Sequence, residues 1–214
     1  MKNKKLTIGI SLRVVESTNY NEKRDALSQD WSIFFEKLGI NPLLIPNTMK
    51  NVLSFLEDMQ VQGLILSGGD NIGDSQDRDE TEQKIINYSL EKKIPLIGIC
   101  RGMQVINTFF GGTIETLENS KHVGDPHFVS LNKNLASFLH TEKLQVNSFH
   151  NNVIKQENLG RNLKSFAIAN DSTIEGFCHT ELPIIGVMWH PERTPNEKNE
   201  QIIRKIFYDK RNFL

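Results

Sequence analysis

The sequence contains little cysteine and no long apolar segment. Its two cysteines, Cys100 and Cys178, are too few for a disulfide framework, so a reducing compartment is expected. No apolar run approaches the 18 or so residues needed to cross a bilayer. The 25 basic and 26 acidic residues leave a net charge of −1, which gives no electrostatic reason to expect nucleic acid or an anionic membrane as a partner. We therefore expect a cytoplasmic protein that binds neither.

Chain length and apolar content fit one folding unit. At about 100–200 residues per domain, 214 residues make one domain, and 38% apolar side chains suffice for a sizeable core. We find no internal repeat, low-complexity tract or linker, and we predict a single domain over residues 1–214. The apolar stretch at residues 6–12 could be mistaken for a secretion signal. Arg13 interrupts it and no small-residue cleavage site follows, so we expect none.

Strand-like and helix-like segments alternate in the first half of the chain. The predicted strands cover residues 6–12, 41–46, 63–67 and 94–99, and the predicted helices cover residues 25–38, 52–59, 79–92 and 102–110. The helix at 79–92 is amphipathic, with its Glu and Lys side chains expected outside. This alternation predicts an α/β fold, an open, mostly parallel central sheet flanked by helices on both faces.

The second half of the chain has a different pattern. Short apolar runs between residues 113 and 177 are separated by Asn, Asp, Gly and His, which predicts hairpins at the edge of the sheet. A continuous apolar run at 184–189 is typical of one more strand buried on both faces. A closing helix is predicted at 196–213.

Cys100 lies in the most informative segment, between a predicted buried strand and a predicted helix. Gly98 and Gly102 flank it, and small residues allow the tight strand-to-helix turn that carries a strained nucleophile. The helix N-terminus offers unpaired N–H groups and a positive dipole end, which lower a cysteine pKa. Most free cysteines are small core residues, and Cys178, which has no such turn around it, is interpreted that way. Cys100 is predicted to be a thiolate nucleophile at neutral pH.

His190 and Glu192 form the expected proton-transfer pair. His190 follows the buried strand at 184–189, and open α/β sheets place their chemistry at the carboxyl ends of strands. Pro191 keeps the segment extended, so residues i and i+2 point to the same side. Glu192 can then accept a hydrogen bond from one ring nitrogen while the other faces Cys100. In isolation such a pair would be a surface pair, but the nucleophile turn favours the catalytic interpretation.

Another group of titratable residues consists of His122, Asp125 and His127. Three candidate ligands within six residues could form a metal site, but their spacing matches none of the common zinc patterns. We interpret the segment as a polar hairpin and expect no metal. The roles of these three residues stay open, including a place on the wall of a substrate cleft.

Three motifs, in this order along the chain, resemble class I glutamine amidotransferases. They are Ser67-Gly68-Gly69-Asp70, Gly98-x-Cys100-x-Gly102-x-Gln104 and Trp189-His190-Pro191-Glu192. Within that superfamily the chain is most similar to the stand-alone, peptidase C26-like γ-glutamyl hydrolases, a similarity also carried by Arg78-Asp79 and Val146-Asn-Ser-Phe-His150. The resemblance implies a flavodoxin-like α/β core and a reaction that needs no cofactor. For Arg78 and Asp79 themselves we favour a helix N-terminal cap.

The resemblance also assigns catalytic roles. It makes Cys100 the nucleophile, His190 the general base and acid, and Glu192 the residue that orients His190. The backbone N–H groups of Gly69 and Arg101 would form the oxyanion hole.

The same resemblance assigns the contacts to the glutamyl group. Gln104 should hold this group, and Ser148, Phe149 and His150 should contact its amino and carboxylate groups. The family usually follows that histidine with glycine or glutamine, whereas this chain has Asn151-Asn152.

The implied reaction is hydrolysis of a γ-glutamyl amide bond in a small molecule through a γ-glutamyl thioester. The resemblance suggests γ-glutamyl-CDP-amidate, from capsular polysaccharide modification, as one substrate and γ-glutamyl-γ-aminobutyrate as another. A glutaminase subunit that delivers ammonia to a separate synthetase partner is the main alternative, because the same residues serve both reactions. A catalytically inactive binding module is disfavoured, since chemically competent residues fill the whole triad. The leaving group would meet residues 13–24, 71–78 and 118–128.

Overall fold

The structure, a computed structural model, describes residues 5–116, 124–210 and 213. Its strands, numbered in chain order within those residues, are β1 (Leu6–Ser11), β2 (Arg13–Glu16), β3 (Lys23–Ala26), β4 (Ile40–Ile45), β5 (Gly63–Leu66), β6 (Leu96–Ile99), β7 (Glu115–Thr116), β8 (His127–Leu131), β9 (Lys143–Val146), β10 (Asn152–Val153), β11 (Leu163–Ala169), β12 (Ile174–His179) and β13 (Ile184–Val187). Its α-helices are α1 (Asp30–Leu38), α2 (Val52–Asp58), α3 (Gln76–Lys92), α4 (Arg101–Phe109), α5 (Lys133–Leu139) and α6 (Glu197–Arg204). A 3-10 turn covers Gln156–Asn158, and a π-helix, Lys205–Asp209, continues α6.

Nine of these strands form one central sheet in the order β4-β1-β5-β6-β13-β12-β11-β8-β9. The first five run parallel to one another, and the last four are paired antiparallel. Strands β5, β6 and β13 are buried at every residue, so both faces of the sheet centre are covered. The predicted α/β fold, with an open, mostly parallel core flanked by helices, is confirmed. In the part of the chain described, no helix is long and apolar enough to cross a membrane.

The polar segment before α1 forms a strand pair. The sequence predicted a helix from residue 25, but α1 begins at Asp30, because residues 23–26 pair with β2 as strand β3. The β2–β3 hairpin is mostly exposed, so it shows no alternation of apolar and polar residues to reveal it. The predicted end of α1 is correct, since Gly39 takes the left-handed conformation at φ 69°.

The antiparallel edge contains a helix that the sequence pattern did not indicate. Strands β8 and β9 pair antiparallel, but α5 lies between them, so they are not joined as one of the short hairpins predicted for residues 113–177. The Asn132 side chain caps α5 by accepting a hydrogen bond from Leu135 N at 2.9 Å. Strands β11 and β12 do form a hairpin. The closing helix ends earlier than the predicted residue 213, because Lys210 takes a positive φ of 53°.

Helix α4 lies against the backbone of its neighbouring strands. A Cβ on Gly102 would be 2.1 Å from the carbonyl oxygen of Leu66 in β5, and a Cβ on Gly98 would be 2.5 Å from the Gly102 backbone. Only glycine at both positions permits this approach. The contact fixes the N-terminus of α4 against the carboxyl ends of β5 and β6.

Replacing Gly102 with alanine tests this contact. In an ordinary helix this substitution stabilises by up to about 1 kcal/mol. Here the added Cβ would force strand and helix backbones apart, so we expect unfolding in urea to show a loss of about 3 kcal/mol. Gln83→Ala, at an exposed position of α3, is the control for an alanine in a helix. An unchanged unfolding midpoint for Gly102→Ala would contradict the packing described.

Candidate active site

Cys100 occupies the turn between strand β6 and helix α4. Its φ of 50° and ψ of −104° lie in a region that residues with a Cβ rarely adopt. Its N–H donates to Val187 O at 2.8 Å, and its carbonyl accepts from Gln104 N at 3.2 Å. Sheet and helix therefore hold the strained turn from both sides, at the carboxyl end of the sheet's central strands.

The carboxylate of Glu192 holds the imidazole of His190. His190 Nδ1 lies 2.7 Å from Glu192 Oε1, and both side chains are buried. Because β13, which precedes them, runs parallel to β6, His190 and Cys100 emerge at the same edge of the sheet. The structure therefore brings together the three residues of the predicted triad.

Gly68 lies next to both the His190 imidazole and the Cys100 side chain. A Cβ on Gly68 would lie 2.6 Å from His190 Cε1, 3.5 Å from His190 Nε2 and 3.6 Å from Cys100 Cβ. Nδ1 is engaged with Glu192, so Nε2 is the ring nitrogen available for proton exchange with Cys100. A side chain at position 68 would displace the imidazole.

Asn147 fixes the backbone of His190, a role that the sequence reasoning missed. Its Oδ1 accepts from His190 N at 2.8 Å, and its Nδ2 donates to His190 O at 2.7 Å and to Thr194 Oγ1 at 2.9 Å. The residue stands inside the Val146–His150 motif, but the extended pattern of that motif did not indicate which way its amide would point.

An aromatic ring and a cation border the imidazole on one side. The Phe149 ring lies edge-on to His190, with 5.7 Å between ring centroids, and the Arg193 guanidinium lies 4.4 Å from the Phe149 centroid. Arg193 also contributes positive charge near Cys100. The sequence reasoning assigned no role to Arg193.

A cleft of about 600 Å³ opens over Cys100. It is lined by residues from both strand-to-helix turns and from the segment after β9: Gly69, Asp70, Asn71, Ile72, Cys100, Arg101, Gln104, Ile114, Thr116, Phe149, His150, Asn151 and Asn152. Of the predicted glutamyl contacts, Gln104, Phe149 and His150 line this cleft. Ser148 does not; it is buried, and its carbonyl accepts from Gly124 N at 2.9 Å.

Burial opposes ionisation of the nucleophile. It raises the pKa of Cys100 to about 12, and the nearby carboxylates of Glu175 and Glu192 act in the same direction. A hydrogen bond from the Arg101 backbone N–H lowers the pKa but does not compensate. The position of Cys100 at the N-terminus of α4 predicts a thiolate at neutral pH. That expectation is wrong because the tertiary structure buries the sulfur.

Two arginines and two acidic residues form a buried charge cluster beneath the cleft. Arg78 and Glu82 are fully buried and joined at 3.1 Å, and the Arg101 side chain is hydrogen-bonded to both Glu82 and Asp79. Burial lowers the pKa of Arg78, and the neighbouring charge of Arg101 adds to this, whereas Glu82 and Asp70 oppose it.

These contacts correct two expectations from the sequence. Glu82 was placed on the outer face of α3, and Arg78 was interpreted as part of a helix cap. Both are inside. Arg78 is the third residue of α3, and Ser75 is the N-cap. Of Arg78 and Asp79, only Asp79 fits the expected role of an acidic residue in the first turn of a helix.

Asp125 and His127 are described by the structure, and His122 lies outside the described residues. His127 Nε2 lies 3.8 Å from Glu175 Oε2, and His150 Nε2 lies 3.4 Å from Glu175 Oε1. Glu175, on β12, is fully buried, which composition alone did not predict. Among residues 5–116, 124–210 and 213, no group of three or more His, Cys, Asp or Glu side chains could hold a metal ion.

The sequence was compared with known protein families and with individual proteins. Residues 7–192 match the family described as Peptidase C26. The chain belongs to the Peptidase C26 family. A γ-glutamyl-CDP-amidate hydrolase from Campylobacter jejuni is 38% identical over 207 residues, covering 94% of this chain and 96% of the relative. The predicted kinship with peptidase C26-like hydrolases is confirmed.

Other similar proteins of the glutamine amidotransferase type share the fold. One of the subunits of a glutamine-hydrolysing GMP synthase from Pyrococcus abyssi is 32% identical over 169 residues, covering 79% of this chain and 85% of the relative. The crystal structure of a Thermoplasma acidophilum protein assigned as a GMP synthase subunit superposes with a TM-score of 0.74 at 24% identity, over 96% of this chain and 94% of the other.

The thiol chemistry of this Peptidase C26 chain can be measured directly. In Cys178→Ala, Cys100 is the only thiol. Because burial raises the pKa of Cys100 to about 12, we expect its alkylation by iodoacetamide to accelerate about tenfold per pH unit between pH 7 and 9. A plateau reached below pH 7 would instead indicate a thiolate stabilised in the resting state.

Replacing Asn147 with alanine tests the attachment of His190. We expect a stability loss of about 1–2 kcal/mol from the lost hydrogen bonds, and a roughly tenfold or larger fall in kcat because the imidazole is no longer fixed. Asn196→Ala is the matched control, since Asn196 caps α6 and has no contact with His190. Equal kcat values for the two variants would show that Asn147 is only structural.

Proposed function

We propose that the chain hydrolyses the γ-glutamyl amide bond of a small-molecule conjugate and releases L-glutamate. The observation that carries this proposal is the arrangement around Cys100. Cys100 stands on a strained turn and lines the cleft together with Gly69 and Arg101, and His190, held by Glu192, lies next to Cys100 on the side of Gly68. This set of groups suits acyl transfer through a covalent intermediate.

The first step is attack by Cys100 on the γ-carbonyl carbon. Since burial keeps the thiol protonated at rest, His190 Nε2 removes the proton as the sulfur–carbon bond forms. Glu192 bonds to Nδ1, which fixes the tautomer that leaves Nε2 able to accept and stabilises the imidazolium. The negative charge passes to the former carbonyl oxygen, which the N–H groups of Gly69 and Arg101 stabilise.

The second step breaks the carbon–nitrogen bond. The protonated His190 gives its proton to the departing nitrogen, and a γ-glutamyl thioester remains on Cys100. Water then attacks the thioester with His190 as the base, and glutamate leaves as the thiol is restored. The balanced reaction consumes one water, and every step uses side chains and backbone of this chain.

The glutamyl half of the substrate lies in the cleft beside Cys100. Gln104 faces it from the first turn of α4, and Phe149 and His150 form the opposite wall. Ser148 is buried next to Phe149 and does not line the cleft. Asn151 and Asn152 also line the cleft, where the family usually has glycine or glutamine after the histidine.

The similarity to the Campylobacter jejuni hydrolase supports γ-glutamyl-CDP-amidate as the substrate. In keeping with the expectations from the sequence, we place the reaction in the cytoplasm and in modification of a capsular polysaccharide. The match extends over nearly the full length of both chains, so it includes the segments predicted to meet the leaving group. γ-Glutamyl-γ-aminobutyrate is the second conjugate to test.

The second candidate function is that of a glutaminase subunit supplying ammonia to a synthetase. The observation that favours it is the 32% identity to the Pyrococcus abyssi GMP synthase subunit. The two functions differ in whether the isolated chain is active, because a coupled glutaminase depends on its partner.

Glutamate release by the purified chain decides between these functions. We expect rapid release from γ-glutamyl-CDP-amidate and slow release from L-glutamine and γ-glutamyl-γ-aminobutyrate. Cys100→Ala should fold normally and lose turnover completely, and retention of more than a few per cent of activity would refute the assigned nucleophile. Activity on glutamine alone, or only with an added synthetase, would support the glutaminase subunit.

A further inference from the structure

The two proposed oxyanion donors belong to different segments of the chain. Gly69 lies in the turn after β5, and Arg101 begins α4 after β6. Stabilisation of an oxyanion requires both N–H groups at about 2.7–3.1 Å from one oxygen position. The two turns must therefore be fixed relative to each other. The pairing of β5 with β6 sets the distance between the strands, but it does not set the distance between the turns that follow them.

The turn after β5 is held through its carbonyl groups by Arg78. Its Nη2 donates to Ser67 O and to Gly68 O, each at 2.9 Å, and to Ser67 Oγ at 3.2 Å. Gly69 follows these two carbonyls directly, and a Cβ on it would lie 3.1 Å from Arg78 Nη1. Arg78 thus holds the carbonyl of the peptide that carries the Gly69 N–H, and its Nη1 lies close to Gly69 itself.

Glu82 connects this turn to the second one. Its Oε1 accepts from Arg78 Nε at 3.1 Å and from Ser11 Oγ at 2.8 Å, and its Oε2 accepts from the Arg101 guanidinium. Glu82 and Arg78 are completely buried, and Arg101 nearly so. Arg101 thus carries one proposed donor on its backbone. Its side chain is hydrogen-bonded to Glu82, which also binds Arg78, the residue that holds the turn after β5.

We propose that Glu82 is a positioning residue for the oxyanion hole, which it aligns by bridging Arg78 and Arg101. This inference rests on the proposed function, because it assumes that the N–H groups of Gly69 and Arg101 bind the oxyanion. Each arginine gives one N–H of its planar guanidinium to Glu82 and others to Asp79 or to the carbonyls of the first turn, so the rigid plane fixes direction as well as distance. A buried ion pair adds little net stability compared with apolar packing, so stability alone does not explain this cluster. Its members are connected to the backbone of both turns, which favours a positioning role.

The test replaces Glu82 with glutamine, which keeps the shape and removes the negative charge. One donor is worth roughly 10²–10³ in turnover, so a misaligned pair should lower kcat roughly 10–100-fold. Because the glutamyl contacts are elsewhere in the cleft, KM should change less than about threefold, and substrate should bind equally to Cys100→Ala with or without the second change. Alkylation of Cys100 by iodoacetamide forms no oxyanion, so its rate should fall much less than kcat, by no more than a weakened hydrogen bond from the Arg101 N–H to the sulfur accounts for.

Asp79→Asn provides the test if Glu82→Gln does not fold. Asp79 is partly exposed and binds the other side of the Arg101 guanidinium, so its replacement loosens Arg101 without leaving a charge uncompensated in the core. We expect a fall in kcat of roughly three- to tenfold with KM unchanged. Glu57→Gln, which removes an acidic group from an exposed ion pair with Lys92, is the control.

The outcomes separate the inference from the function on which it rests. A fall in kcat with unchanged KM, and with a much smaller fall in the alkylation rate, supports positioning of the oxyanion donors. A folded Glu82→Gln variant, or Asp79→Asn in its place, with wild-type kcat overturns the inference and leaves the function intact. Parallel losses in kcat, binding and alkylation overturn it too, because they indicate general disruption. A wild-type chain inactive on every γ-glutamyl compound refutes the proposed function itself.

Discussion

The close packing of helix α4 on strands β5 and β6 is the constraint on which the rest of the site depends. Gly98 and Gly102 allow backbone to approach backbone, and the chain between them must turn sharply. Cys100 occupies that turn at a φ of 50°, with its N–H bound to strand β13. Since β13 also leads to His190, one packing contact determines where the nucleophile, its base and the first N–H of α4 lie.

The site combines buried charge with a buried neutral thiol. Unpaired, the guanidinium groups of Arg78 and Arg101 would be costly in the interior, and Glu82, Asp79 and backbone carbonyls supply their partners. The Arg101 N–H and the charge of Arg193 compensate the sulfur of Cys100 only in part, and burial holds its proton in place. On this account the thiol becomes nucleophilic when His190 takes its proton as the sulfur attacks the bound carbonyl.

The parts of the site that could be predicted are those set by local sequence. The apolar run before Cys100, its two flanking glycines and the His-Pro-Glu segment each act over a few residues. What could not be predicted depends on packing between distant segments. The helical pattern of α3 does not show that Glu82 faces Arg101, the polar β2–β3 hairpin carries no apolar alternation, and the pKa of Cys100 depends on its final burial.

Trapping with hydroxylamine tests the central claim, a γ-glutamyl thioester on Cys100, most directly. Two substrates with different leaving groups, L-glutamine and a γ-glutamyl conjugate, are hydrolysed at the same hydroxylamine concentration, and hydroxamate and glutamate are measured. A common thioester predicts the same product ratio from both substrates, because the leaving group has departed before partitioning. Ratios that depend on the leaving group, or turnover without any hydroxamate, would contradict the account.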